Sequence, residues 1–225
     1  MKGIVLKEFY QMKDDIPSFI ISTIFFMILY KFLKVPFFEF STSIVIFIII
    51  VNTFLKQELL NNENNFNMYL NTLPININKI IMAKYLFMLS ITTILLFICI
   101  VGSIFIKWEV DLLSQIKYYS LYIFVFNFYY VYFPIAYLIF ISLKNNLASI
   151  IVSNLIGMVI SLLLNFLLIF LMLILFKNIL EIDFSSDILS EDMFLICGLI
   201  CTFISAIIVC KVYKITCLKY KKNLC

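Results

Sequence analysis

The chain has 225 residues, 64% of them hydrophobic, with a mean hydropathy of +1.10 and a net charge of +4. Soluble domains are about 45–50% apolar, so this composition excludes an ordinary soluble fold and indicates an all-α integral membrane protein. There is no histidine, and all 17 basic residues are lysine, which excludes an HExxH zinc site, a Ser-His-Asp triad and a histidine proton relay.

In chain order, residues 1–16 read as a helix lying in the membrane surface. At 100° per residue, Val5, Leu6, Phe9, Met12 and Ile16 share one face, and Lys7, Glu8, Gln11, Asp14 and Asp15 share the other. Acidic residues interrupt this start and no small-residue cleavage site follows it, so it does not read as a signal peptide. Pro17 opens the first of six expected spans, where its missing N–H costs little. The spans are predicted at roughly 17–35, 40–55, 80–106, 118–143, 147–176 and 193–213, because a run of about 20 apolar residues crosses a hydrocarbon core of about 30 Å. The fifth is longer than a crossing needs, and a kink or a re-entrant end is expected for it.

Lysines set the orientation. With the N-terminus inside, twelve fall on the internal side and five on the external side. Both termini are therefore expected in the cytoplasm, with 56–79 a cytoplasmic segment and 177–192 an external loop. The whole of 1–225 reads as a single transmembrane domain. The external loop carries Glu181, Asp183, Asp187, Glu191 and Asp192, a solvated loop that would also attract a cationic cargo.

In the cytoplasmic segment apolar positions recur at roughly seven and four residues. Leu59, Phe66, Leu70 and Leu73 can form one apolar edge of a short helix. Glu58, Asn61, Asn62, Glu63, Asn64 and Asn65 occupy its other faces. Pro74 stops such a helix and pushes Leu73 out of the α region. Asn76 or Asn78 can cap the next helix, whose first turns are expected to hold Lys79 and Lys84 near lipid headgroups.

In the fourth span, Asn127, Tyr129, Tyr130 and Tyr132 lie near the middle with Pro134. Buried hydroxyls need partners, so these residues either bond across helices or wet a substrate path. In the fifth span Asn145, Ser149, Ser153, Gly157, Ser161 and Asn165 recur at steps of four, with Asn154 beside them. Small residues permit close helix approach, and Ser or Asn can bond across it. This stripe serves either plain packing inside one subunit, or a dimer interface or translocation path.

The cysteines form no CxxC pair, so zinc and thioredoxin-like chemistry are not expected. The four glycines open no GxxxxGK[ST] loop, so the chain has no nucleotide site of its own. Ionisable residues are scarce inside the expected spans, unlike in ion-coupled carriers. Any driving energy is therefore expected from another polypeptide.

The stretch "LNTLPININKIIMAKYLF", residues 70–87, resembles the region between the second and third spans of ABC-2-type transporter permeases. The matching positions are Glu58 or Glu63, Leu73, Pro74, Ile75, Lys79, Ala83, Lys84, Tyr85 and Leu86. The opening "MKGIVLKEFYQMKDD" is similar to the family's N-terminal interfacial helix. The family's usual arginine before the third span is replaced by Asn78 and Lys79.

The resemblance implies six helices per subunit, a homodimer or paired permease, and separate P-loop ATPase subunits that bind ATP and Mg. It also implies a coupling helix in the 56–73 region that docks on the ATPase, with Glu58, Leu59, Phe66, Tyr69, Leu70, Leu73 and Pro74 as coupling residues. The expected activity is export across a bacterial plasma membrane of an amphipathic or hydrophobic substrate, such as a peptide toxin, bacteriocin or antibiotic. Permeases for phenol-soluble modulins are similar in size and character. The expected partners are the ATPase, a second permease copy, lipid and cargo, with no nucleic acid and no enzymatic activity. The alternative is a non-transporting membrane anchor or immunity protein.

Overall fold

A computed structural model describes residues 2–33, 38–64, 76–106, 112–143, 146–180 and 191–224. Every regular element among them is an α-helix: α1 (Lys2–Gln11), α2 (Asp15–Leu33), α3 (Phe38–Glu63), α4 (Ile77–Ile106), α5 (Leu112–Ser142), α6 (Leu147–Leu180) and α7 (Glu191–Leu224). Five of them contain stretches long and apolar enough to cross a membrane: Ile44–Glu63, Ile77–Ile98, Ile123–Ser142, Leu147–Leu171 and Gly198–Lys222. Asp15–Phe25 of α2 is a shorter apolar stretch.

The apolar runs explain where the helices are; their ends follow from what fails to stop them. The second span, expected to end near residue 55, continues as α3 to Glu63, because "KQELLNNE" contains neither glycine nor proline. For the same reason α7 passes through Lys211, Lys214 and Lys219 and ends at Leu224. The long fifth span is one uninterrupted helix of 34 residues, about 51 Å at 1.5 Å per residue.

Helix α5 is the centre of the bundle and touches α3, α4, α6 and α7. Its side chains build much of the core, with Tyr129, Tyr132, Phe133, Tyr137 and Phe140 all buried. The Phe47 and Tyr129 rings stack at 4.2 Å between centroids. Phe54 meets Phe133 and Tyr137 edge-on, at 5.3 and 5.9 Å. Helices α5 and α7 run parallel: Ile123 meets Gly198 near one end, and Val131 and Ile135 cluster with Val209 farther along.

Helix α1 packs on α4, and its inward face takes in Val5, Phe9, Met12 and Ile16 of the predicted apolar face together with Ile4 and the unexpected Glu8, but not Leu6. Ile4, Glu8 and Met12 are buried at successive turns, whereas Leu6 is 56% and Tyr10 66% exposed. Glu8 turns inward toward the charges of Glu58 on α3 and Lys84 on α4.

Candidate functional site

The α3 end and the α4 start enclose an ionic centre. Glu58 lies five residues before the end of α3, and Lys84 lies seven residues after the start of α4. Both are buried, and the Lys84 ammonium donates to Glu58 Oε2. Tyr137 of α5 donates to the same oxygen at 3.4 Å. The Lys84 Nζ stands 5.8 Å from the Tyr137 ring centre and 5.9 Å from that of Tyr220 on α7. Cation–π attraction of this kind is strongest where water is excluded.

Glu8 of α1 completes the group. It is buried and accepts a hydrogen bond from Lys7 Nζ at 3.1 Å. Burial, and then the negative charge of Glu58, push the Glu8 carboxyl above its ordinary value, against the pull of Lys84 and Lys7. Five helices thus meet at one lysine. Amides fasten α1 to α3 nearby: Gln11 Nε2 donates to Asn61 Oδ1 at 2.8 Å, and Gln57 Nε2 donates to the Gln11 carbonyl at 2.7 Å.

This geometry corrects two expectations. Lys84 lies under the protein and not at headgroups, because Glu58 faces it across the α3–α4 pair. Glu58 and Asn61 lie inward and not on a solvated face, alongside Leu59 of the apolar edge. Phe66, Tyr69, Leu70, Leu73 and Pro74 lie outside the described residues. Asn76 caps α4 as predicted: its carbonyl accepts from Lys79 N at 2.8 Å and its side chain from Asn78 N at 3.0 Å. Sequence reading missed Glu8, Tyr137 and Tyr220. The available signal was a glutamate and a lysine at similar depth from one interhelical connection.

A cleft of about 320 Å³ opens between α4, α5 and α7. Leu89, Thr92, Tyr130 and Phe133 lie along it, and Met82, Leu86 and Cys210 are its exposed members. Of the expected path residues, Tyr129 and Tyr130 line this cleft. Pro134, also in its wall, interrupts α5 internally. A proline has no N–H, so the carbonyl four residues earlier, that of Tyr130, loses its helical donor.

The α6 stripe faces α5 of the same chain. A Cβ built on Gly157 would lie 3.0 Å from Ala136 Cβ and 3.1 Å from its Cα, so the predicted close approach is present. Ser153 and Ser161 are buried, but their hydroxyls bond backward to Ile150 and Gly157 carbonyls, at 2.9 and 2.8 Å. Asn165 likewise bonds the Ser161 carbonyl at 2.8 Å. Cross-helix bonding comes instead from Asn154, which accepts from Tyr132 Oη at 2.8 Å and donates to Asn52 Oδ1 at 3.1 Å. Asn127 is fully buried, and neither of its amide atoms has a hydrogen-bond partner among the described residues.

The sequence matches the family described as ABC-2 family transporter protein over residues 3–214. No curated protein and no solved structure matches the chain.

Proposed function

Because the chain belongs to the ABC-2 transporter family and is a multi-pass membrane component of that transport system, we propose that it is the permease subunit of an ABC exporter. It moves an amphipathic or hydrophobic substrate out of a bacterial cytoplasm across six spans, with α2 as the first. A separate P-loop ATPase binds ATP and Mg and supplies the energy. The observation that carries this reading is the Glu58–Lys84 pair. It ties α3, which carries the start of the 56–73 region assigned to ATPase docking, to α4, which follows that region. A push on that segment is delivered to α3 and α4 as one unit, and through Tyr137, Tyr220 and Glu8 to α5, α7 and α1.

A second copy of the chain covers the α3–α6 face. Asn52 is exposed and lies within the second expected span, roughly 40–55, on the membrane side of the polar end of α3. A polar side chain there is costly against lipid. It bonds Asn154 at 3.1 Å, and Ile49, Ile151 and Leu155 around the pair are also exposed. This patch supports a two-copy assembly in which Asn154 lies at the interface or path. Asn127, Tyr129, Tyr130, Ser153, Gly157, Ser161 and Asn165 stand behind it as the wider set assigned to that role.

The test uses purified permease with a candidate partner ATPase. Wild-type protein is expected to form a two-permease complex with cargo-stimulated hydrolysis. Phe66→Ala with Tyr69→Ala should release the ATPase from an intact permease, since buried aromatic anchors dominate small contacts. Asn52→Leu with Asn154→Leu should weaken the permease pair. Wild-type association and export in the aromatic variant would overturn the docking role, and an unchanged two-copy mass in the asparagine variant would overturn the interface.

A further inference from the structure

The cleft between α4, α5 and α7 lies away from the α3–α6 face, and three of its properties together define an occupant. Its α4 wall runs from Met82 to Thr92, about 15 Å along a helix, which is half of a hydrocarbon core of about 30 Å. It is lined by apolar and aromatic side chains, with Tyr85, Tyr129, Tyr130, Tyr213 and Thr92 as the hydroxyl-bearing residues among them. It is open on the Met82, Leu86 and Cys210 side, where the helices would face lipid.

Its mouth is basic. The Tyr213 hydroxyl donates to the Asn78 carbonyl at 2.9 Å, which fixes α7 against the start of α4 at that level. Lys79 and Lys214 are the next residues along the two helices, and both are exposed. Lys79 stands one turn before Met82, and Lys214 one turn beyond Cys210. Two ammonium groups therefore flank the end of a slot one leaflet deep.

We propose that this cleft binds one anionic phospholipid from the adjoining leaflet, with an acyl chain between α4, α5 and α7 and the phosphate at Lys79 and Lys214. Basic sites between helices at a membrane surface select such headgroups. The tail fills volume beside Phe133 and Leu89 that the chain leaves empty. The positive charge at the mouth favours an anionic occupant over a cationic one, although Tyr129 and Tyr130, which also belong to the set assigned to the interface or path, line the same cleft.

Native mass spectrometry of full-length permease, exchanged into detergent with equal phosphatidylglycerol and phosphatidylcholine, tests this. One phosphatidylglycerol per chain is expected, preferred about tenfold or more given two nearby lysines. Lys79→Gln with Lys214→Gln should abolish the preference while a lipid is still retained. Leu89→Trp, which fills the tail slot from a half-buried position, should expel lipid of either kind without lowering helix content by circular dichroism. Inorganic phosphate at millimolar concentration should not displace the lipid. Equal retention of the two lipids by wild type, displacement by phosphate alone, or full retention in the tryptophan variant would overturn the proposal.

Discussion

The Glu58–Lys84 pair is the residue on which the cytoplasmic half of the molecule turns, and its energetics are asymmetric. Removing one partner of a buried pair leaves a bare charge and costs about 3–5 kcal/mol, whereas replacing both by apolar groups is often near neutral. Lys84→Met and Glu58→Leu are each expected to lower the melting temperature in detergent sharply. The double variant should recover most of the loss, and strict additivity would show that the pair is not coupled. Transport should not recover, because the recovered fold lacks the tie between α3 and α4. Glu8 adds a pH signature. Its carboxyl is raised in the folded protein by burial and by Glu58, so the fold binds a proton more tightly than the unfolded chain does. Stability from this group is therefore complete at low pH and falls as pH rises from about 4.5 through the raised value. Glu8→Gln is expected to flatten that fall and to gain most above it; thermal melts from pH 4 to 8 with unchanged slope would refute the assignment. None of this was legible along the chain, because an inward glutamate on an amphipathic helix has the same spacing as an outward one. Only the facing lysine decides, and Lys84 is 76 residues away from Glu8.

At the scale of the element, α6 illustrates what a small-residue stripe does. Sequence spacing located the close contact correctly but left its partner open. The partner is Ala136 on α5, within 3.0–3.2 Å of a Cβ added to Gly157, and two of the three nearest atoms are backbone. Neither helix can yield by rotating a side chain. Gly157→Leu is expected to cost about 1–3 kcal/mol through overpacking, and Gly157→Ala less. Ala136→Gly should rescue the alanine variant in part. An unaltered melting temperature in Gly157→Leu would mean that α5 and α6 are not in contact there. The serines of the stripe turn their hydroxyls to their own backbone because the gap to α5 is too tight for a bridging group. Spacing alone reveals a small side chain, not where its hydroxyl points.

For the whole molecule, composition and apolar runs made the helical membrane class legible, since runs of about 20 apolar residues suit a spanning helix that satisfies its own backbone, whereas barrel strands are about half as long. The family match, extending to residue 214, agrees with the resemblance carried by residues 70–87. Helix ends were less legible, because polar sequence without glycine or proline continues a helix beyond the membrane. The cleft was not legible at all. It lies between three helices, and Met82, Tyr130 and Cys210 share no motif that would join them before the fold does.

The parallel course of α5 and α7 carries a consequence for how the protein is made. Ile123 waits for Gly198, and Val131 for Val209, so each contact on this seam closes about 75 residues of synthesis after its first half appears. At ribosomal speeds of about 5–20 residues per second, that is a delay of about 4–15 seconds. Throughout it the inward side of α5, including the amide of Asn127, stands in the bilayer or in the insertion machinery without its neighbour. The arrival of α7 ends this exposure, buries Ser205 and brings Tyr220 to Lys84. A ribosome stalled before that point leaves a product with the central helix unshielded, and membrane proteases can distinguish it from a finished chain by that one helix.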